Sequence, residues 1–92
     1  MSDIGAHLVV KGLVQGVGYR WFALKSASSY NINGWVKNLP DSTVEVQAYG
    51  DKGALNSFIK DLSRGPSFSK VTDVVVRWVE FESAYISFSV EH

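Results

Sequence analysis

The fold is decided by residues 6–30, AHLVVKGLVQGVGYRWFALKSASSY, where an aliphatic run passes through glycines into a helical pattern. Ala6 to Val14 is aliphatic at positions of both alternating faces, which is typical of an interior strand. Gln15-Gly16-Val17-Gly18 is a glycine-rich turn. From Tyr19 onward apolar residues recur at helical spacing, which predicts a helix. Asn31 tolerates the left-handed backbone that ends many helices, so we expect this helix to stop there.

Beyond this stretch the pattern continues with strands and one further helix. Gly34–Leu39 and Thr43–Tyr49 predict two strands, and Pro40-Asp41-Ser42 between them is a turn of hairpin length. Asp51 stands where it can cap a helix whose apolar residues recur at i, i+3, i+4 and i+7. Gly65-Pro66 ends that helix.

Two more strands complete the chain. Val71 to Phe81 is a long β-branched run, and residues 86–90 alternate apolar and polar side chains. The resulting order is βαββαβ plus a short C-terminal strand, which makes two split βαβ units. We therefore predict an α+β fold, the ferredoxin-like α/β sandwich, in which an antiparallel sheet carries both helices on one face.

Length and composition exclude several classes of function. A chain of 92 residues predicts a single domain, residues 1–92. Nine basic and nine acidic residues give a net charge of zero, which argues against nucleic-acid binding. The chain has no cysteine, and its two histidines, His7 and His92, lie at opposite ends, so we expect no metal site. It has neither a signal-peptide pattern nor a membrane-length apolar run, which predicts a soluble, cytoplasmic protein away from membranes.

The turn before the first helix has the composition of an anion site. Unpaired N–H groups of a turn and of a helix start converge on one point, which suits a phosphate or a carboxylate. Gly16 and Gly18 allow positive φ and leave room for an anion to approach. Arg20 is a cation in the first helical turn, where it opposes the helix dipole. A bound anion would remove that conflict, because the guanidinium can hold two oxygens at once.

Better-known phosphate motifs do not fit this stretch. A P-loop needs Lys-Ser or Lys-Thr after its last glycine, whereas Gly18 is followed by Tyr19 and Arg20. The dinucleotide fingerprint needs a glycine where Trp21 stands. The glycines could instead only permit a tight turn, with Arg20 in solvent, and their spacing alone does not decide between the two interpretations.

Two stretches of the chain are long and compositionally unusual: Gly12-Leu13-Val14-Gln15-Gly16-Val17-Gly18-Tyr19-Arg20, and Gly34-Trp35-Val36-Lys37-Asn38 followed by Val44-Glu45 and Gly50. The first resembles the first signature of the acylphosphatases, and the second is similar to their second signature. The spacing between the two also matches, as does Gly65-Pro66 after the second helix. The resemblance runs from about His7 to Val90, and the family's fold is the ferredoxin-like sandwich.

The resemblance implies hydrolysis of the carboxyl–phosphate bond of an acylphosphate, giving a carboxylate and inorganic phosphate without a metal or other cofactor. By motif position, Arg20 corresponds to the family's phosphate-binding arginine and Asn38 to the asparagine that positions the attacking water. The phosphate-binding loop corresponds to Gln15, Gly16, Val17, Gly18, Tyr19 and Arg20. We accordingly expect a monomer whose partners are a small-molecule acylphosphate and the phosphate product, and neither nucleic acid nor membrane.

The chain departs from the family pattern at three positions. Asn31 stands where a helix-ending glycine is usual, and Ser42 where the hairpin usually has Asp-Gly. Tyr19 stands where Phe is common. The first two positions concern turn strain and stability, and the third keeps an aromatic ring and adds a hydroxyl.

Two other functions compete with hydrolysis. A non-catalytic phosphate or carboxylate sensor would use Arg20 and would not need Asn38. An RNA-binding or protein-binding sandwich would use exposed aromatics, and the chain has three tryptophans. The RNP1 pattern is missing and the charge is balanced, so we interpret the tryptophans as residues of core or partial-surface packing.

Overall fold

The structure is a computed structural model, and it describes residues 3–82 and 84–92. The elements follow the predicted order. They are β1 (Asp3–Leu13), α1 (Tyr19–Ser29), β2 (Asn33–Asn38), β3 (Val44–Asp51), α2 (Lys52–Arg64), β4 (Lys70–Val79) and β5 (Phe88–Glu91).

The five strands form one sheet in the order β4-β1-β3-β2-β5. β1 pairs antiparallel with β3 and β4, and β2 pairs antiparallel with β3. These four strands and two helices confirm the ferredoxin-like fold. One part of the prediction was wrong, because β5 pairs parallel with β2 and the sheet is therefore mixed.

The parallel pairing of β5 follows from the position and direction of β4 in the sheet. β4 occupies one edge of the sheet and has β1 as its neighbour, so the free edge at β2 is on the far side. A strand that returns after β4 runs opposite to it. Since β2 also runs opposite to β4, the returning strand is parallel to β2.

One face of the sheet and both helices enclose the core. Alternate residues of neighbouring strands meet there in register, as in the row Leu8, Val46 and Val36, all with no exposed surface. Ala23 of α1 and Phe58 of α2 are equally buried against this face. Full burial of a Val, Leu or Phe side chain is worth about 1.5–3 kcal/mol. Both helices therefore lie on one face, as predicted.

The opposite face of the sheet carries no helix of the described chain, so the aliphatic residues expected to make β1 apolar on both sides are only partly covered. Val9 is half-buried and Leu13 is exposed. The same face carries a polar cluster in which the Glu45 carboxylate lies 2.7 Å from His7 Nε2 and 3.9 Å from Lys37 Nζ. Lys37 thus points away from the core, as the alternation predicts.

The ends of both helices agree with the sequence. The Asp51 carboxylate accepts a hydrogen bond of 3.2 Å from the Ala54 N–H, which caps α2, and Gly65 ends it. Asn31 has φ 57° just after α1, the left-handed conformation expected at that position. Ser42, in the β2–β3 turn, is the other non-glycine residue with positive φ among the described residues, at 76°.

The topology brings two chain segments to one edge of the sheet. β1 and β2 are each antiparallel to β3, so they run in the same direction and end at the same edge. The glycine-rich turn follows the end of β1. Asn38 is the last residue of β2.

Candidate functional site: an anion pocket at the sheet edge

The turn between β1 and α1 has the backbone that its glycines permit. Gly16 has φ 74° and Gly18 has φ 79°, both left-handed. A Cβ built on either glycine meets no described atom within 4 Å. Glycine is therefore required here for its conformation, and the space in front of the turn is open.

The start of α1 has backbone N–H groups free for a ligand. Gly18 is the N-cap residue, so no side chain caps the helix, and the first turn contains no acidic residue. The first N–H groups of a helix have no partner within the helix, and the helix dipole places partial positive charge there. This end of α1 is suited to an anion.

Arg20 adds a full positive charge at the same place. Its Nη1 donates to the carbonyl oxygen of Glu91 at 3.2 Å and lies 3.3 Å from Nδ1 of His92. Among the described residues, no carboxylate forms an ion pair with Arg20, and its Nε and Nη2 have no hydrogen-bond partner. The edge of the guanidinium that could hold two phosphate oxygens is therefore available.

Asn38 faces the same space from the end of β2. A cavity of about 200 Å³ is lined by Val14, Gly16, Gly18, Tyr19, Arg20, Trp21, Asn38 and Val90. The side-chain Oδ1 of Asn38 is buried and accepts no hydrogen bond from any described residue. A buried acceptor without a donor costs about 1–3 kcal/mol, so this atom is suited to a ligand or a water that donates to it. The structure thus brings Arg20 and Asn38, 18 positions apart in the sequence, onto one cavity.

Three residues of the predicted phosphate loop direct their side chains elsewhere. Gln15 Nε2 donates hydrogen bonds of 2.8 Å to the carbonyl oxygens of Leu39 and Thr43. Val17 packs against the core. The Tyr19 ring is buried and its hydroxyl donates 2.6 Å to the carbonyl oxygen of Leu62, while burial raises the pKa of this phenol well above its ordinary value. These residues can offer a ligand their backbone and hold the loop in place with their side chains.

Sequence reasoning missed three residues that line the cavity. Val14 directly follows β1, and Trp21 directly follows Arg20, so proximity to the motif was an available signal for both. Val90 lies on β5, some 70 residues away in the chain, and reaches the cavity only because β5 pairs with β2. No local pattern indicates that contact.

Metal ligands are missing from this part of the described chain. No group of three or more His, Cys, Asp or Glu residues within 3–82 and 84–92 is arranged to hold a metal ion. The side chains that line the cavity include no carboxylate, imidazole or thiol. Its donors are amides and a guanidinium, which suit an anion.

The fold and the site define a class: small ferredoxin-like α+β domains with an anion pocket between a strand–turn–helix segment and the end of a neighbouring strand. Comparison with known proteins narrows the class. The acylphosphatase family model matches residues 6–90. The chain therefore belongs to the acylphosphatase family, whose members are hydrolases of acid anhydrides that contain phosphorus.

Individual relatives agree with this assignment. The chain is 43% identical over 90 residues to an acylphosphatase of Chlorobaculum tepidum, covering 98% of each chain. It is 50% identical over 72 residues to one of Thermus thermophilus, covering 78% of this chain and 82% of the relative. The crystal structure of the Bacillus subtilis acylphosphatase superposes with a TM-score of 0.94 at 38% identity, covering 97% of this chain and 99% of that one.

Proposed function

We propose that this chain hydrolyses small acylphosphates without a metal, using Arg20 and the backbone of residues 15–20 to hold the phosphate and Asn38 to position the attacking water. One observation carries the assignment of roles. A guanidinium without a counter-charge and a buried carboxamide oxygen without a donor, both judged within the described chain, belong to residues that line one cavity. The first is available to hold an anion, and the second is suited to a ligand or a water that donates a hydrogen bond.

Hydrolysis of an acylphosphate is compatible with a cavity whose lining side chains among the described residues include no carboxylate, imidazole or thiol. In phosphoryl transfer the transition state is loose, and catalysis depends mainly on positioning and on stabilising charge. The water oxygen attacks phosphorus as the bond from phosphorus to the acyl oxygen breaks, and the carboxylate leaves with that bond's electron pair. A carboxylate is a good leaving group, so the site need not supply a strong acid.

Asn38 can hold the water without deprotonating it. Its Oδ1 accepts a hydrogen bond from the nucleophile, which fixes the line of attack and leaves the water neutral. The described residues of the lining offer no carboxylate or imidazole as a base. The proton of the water therefore passes to a phosphate oxygen of the substrate, and inorganic phosphate is released.

The proposal also includes the domain organisation, oligomeric state, localisation and partners of the chain. Residues 1–92 act as a single domain and as a monomer in the cytoplasm, with an acylphosphate as substrate and no nucleic-acid partner. Neither helix of the described chain is long and apolar enough to cross a membrane.

A turnover assay tests the proposal. Benzoyl phosphate should be hydrolysed to benzoate and phosphate, inorganic phosphate should inhibit competitively, and excess EDTA should leave the rate unchanged. A phosphate sensor would bind phosphate and give no turnover. Activity that EDTA abolishes and Mg²⁺ restores would contradict a site made only of amides, Arg20 and Asn38.

A further inference from the structure

The lining of the cavity at the sheet edge has a polar part and an apolar part. The turn amides, Arg20 and Asn38 make up the polar part, which the proposed function uses. Val14, Trp21 and Val90 belong to the apolar part, which it does not use. An acylphosphate also has two parts, since its acyl carbon is separated from phosphorus by a single oxygen. A phosphate held by the polar part therefore places the acyl group close to the apolar residues.

Among these apolar residues, Trp21 presents the most surface to a ligand. Val14 is 1% exposed, whereas Trp21 is 63% exposed. Val90 is half-buried beside it in the lining. The exposed indole of a residue that lines a pocket offers a large flat surface to an incoming group.

Trp21 also differs from the other two tryptophans, each of which has a lysine ammonium near its ring. Lys37 Nζ lies 5.2 Å from the centroid of the Trp35 ring, and Lys52 Nζ lies 5.3 Å from that of Trp78. Within the described chain, Trp21 forms neither a cation–π contact nor a ring–ring pair. Its next neighbour, Phe22, packs against the core instead. The indole of Trp21 is therefore free to contact a substrate.

We infer that Trp21 is a specificity-determining residue whose indole, next to Val90, contacts the acyl group and favours aromatic acylphosphates over small aliphatic ones. The inference rests on the proposed function and adds to it the class of acyl group. Aromatic rings that stack or meet edge to face gain more than their buried area alone provides. An acetyl group is too small to cover the indole and gains little from it.

The test compares benzoyl phosphate with acetyl phosphate. Their leaving carboxylates have similar basicity, so the two substrates differ mainly in the group that would meet Trp21. In Trp21→Ala we expect kcat/KM for benzoyl phosphate to fall about threefold to tenfold, the range of one aromatic contact. The loss should lie mainly in KM, because the contact is the same in ground and transition states. For acetyl phosphate, kcat/KM should change less than about twofold, and inhibition by inorganic phosphate should stay the same.

Two further variants complete the experiment. Trp21→Phe should recover most of the preference for benzoyl phosphate, because it restores an aromatic face. Trp78→Ala removes another exposed tryptophan, one that lies outside this cavity, and should leave the preference unchanged. Equal losses on both substrates in Trp21→Ala, or the same loss of preference in Trp78→Ala, would overturn the inference. If the unmodified protein hydrolyses neither substrate, it is the proposed function that fails.

Discussion

The side-chain nitrogen of Gln15 lies 2.8 Å from the carbonyl oxygen of Thr43, although the two residues are 28 positions apart. The same nitrogen donates to the carbonyl oxygen of Leu39. Gln15 begins the glycine-rich turn, and Leu39 directly follows Asn38. This bridge fixes the distance between the segment that carries Arg20 and the strand end that carries Asn38.

Gln15→Leu should uncouple the two halves of the site. The variant keeps a side chain of similar size and removes both hydrogen bonds, so the loop and the hairpin can separate slightly. Because misplacement of reacting groups by about 1 Å can cost up to about 10²-fold in rate, we expect kcat to fall roughly tenfold. Steady-state kinetics on benzoyl phosphate would measure it.

Asp51→Ala is the control for stability. It removes the N-cap of α2 and should cost about 1 kcal/mol of unfolding free energy, while kcat stays unchanged. A Gln15→Leu protein that loses similar stability and keeps its full kcat would show that the bridge only stabilises the fold.

Arg20→Lys should lose most activity although the charge is kept. A lysine ammonium is a point charge and cannot hold two phosphate oxygens as the guanidinium edge does. We expect kcat/KM to fall on the order of 10²-fold and the inhibition constant of inorganic phosphate to rise about tenfold. Arg64→Lys, on the exposed end of α2, is the matched control and should behave as the unmodified protein. Near-normal turnover and phosphate inhibition in Arg20→Lys would mean that Arg20 does not bind the phosphate.

Ser42→Gly should stabilise the protein. Ser42 has φ 76°, where a residue with a Cβ is strained and glycine is not. The relief of strain outweighs the extra flexibility that glycine gives the unfolded chain, for a net gain of about 0.5–1 kcal/mol. Ser28→Gly within α1 should instead cost about 0.5 kcal/mol. Urea unfolding of both variants measures the difference, and a loss of stability in Ser42→Gly would contradict the strain.

Tyr19→Phe should lower stability and spare catalysis. The Tyr19 hydroxyl satisfies the carbonyl oxygen of Leu62, one of the last in α2, and its loss should cost about 1–3 kcal/mol. Burial raises the pKa of the Tyr19 hydroxyl in the folded state. The neutral phenol therefore contributes fully to folding stability below the unfolded pKa of about 10, and this contribution is lost as pH rises through the folded pKa. The variant should lack that alkaline decline in thermal stability. A large fall in its kcat would instead place the hydroxyl in the chemistry.

The elements could be predicted from local patterns because their signals are local. The turn glycines, the Asp51 cap and the left-handed Asn31 depend on neighbours within a few residues. The pairing of β5 with β2 could not be predicted in this way, because four residues carry too weak a pattern to indicate direction or partner.

The same distinction between local patterns and distant contacts applies to the residues of the site. Arg20 and Asn38 could be predicted as site residues because the motifs that carry them resemble a family, and both line the cavity. The contacts of Arg20 with Glu91 and of Gln15 with Thr43 join distant segments, and only the folded chain reveals them. Val90 was missed as a lining residue for the same reason, since it lies on the strand whose partner was unknown.

Asn38→Ala tests the central claim, that the cavity joins a phosphate holder to a water holder. Arg20 acts on the phosphate in ground and transition states, whereas Asn38 acts on the nucleophile only. Asn33→Ala is the matched control at the other end of β2, where the amide donates to the carbonyl oxygen of Tyr85. Both variants are measured for kcat on benzoyl phosphate, inhibition by inorganic phosphate and thermal unfolding. We predict that Asn38→Ala lowers kcat on the order of 10²-fold with phosphate inhibition unchanged, while Asn33→Ala keeps its kcat. A stably folded Asn38→Ala protein with the kcat of the unmodified enzyme would contradict the account.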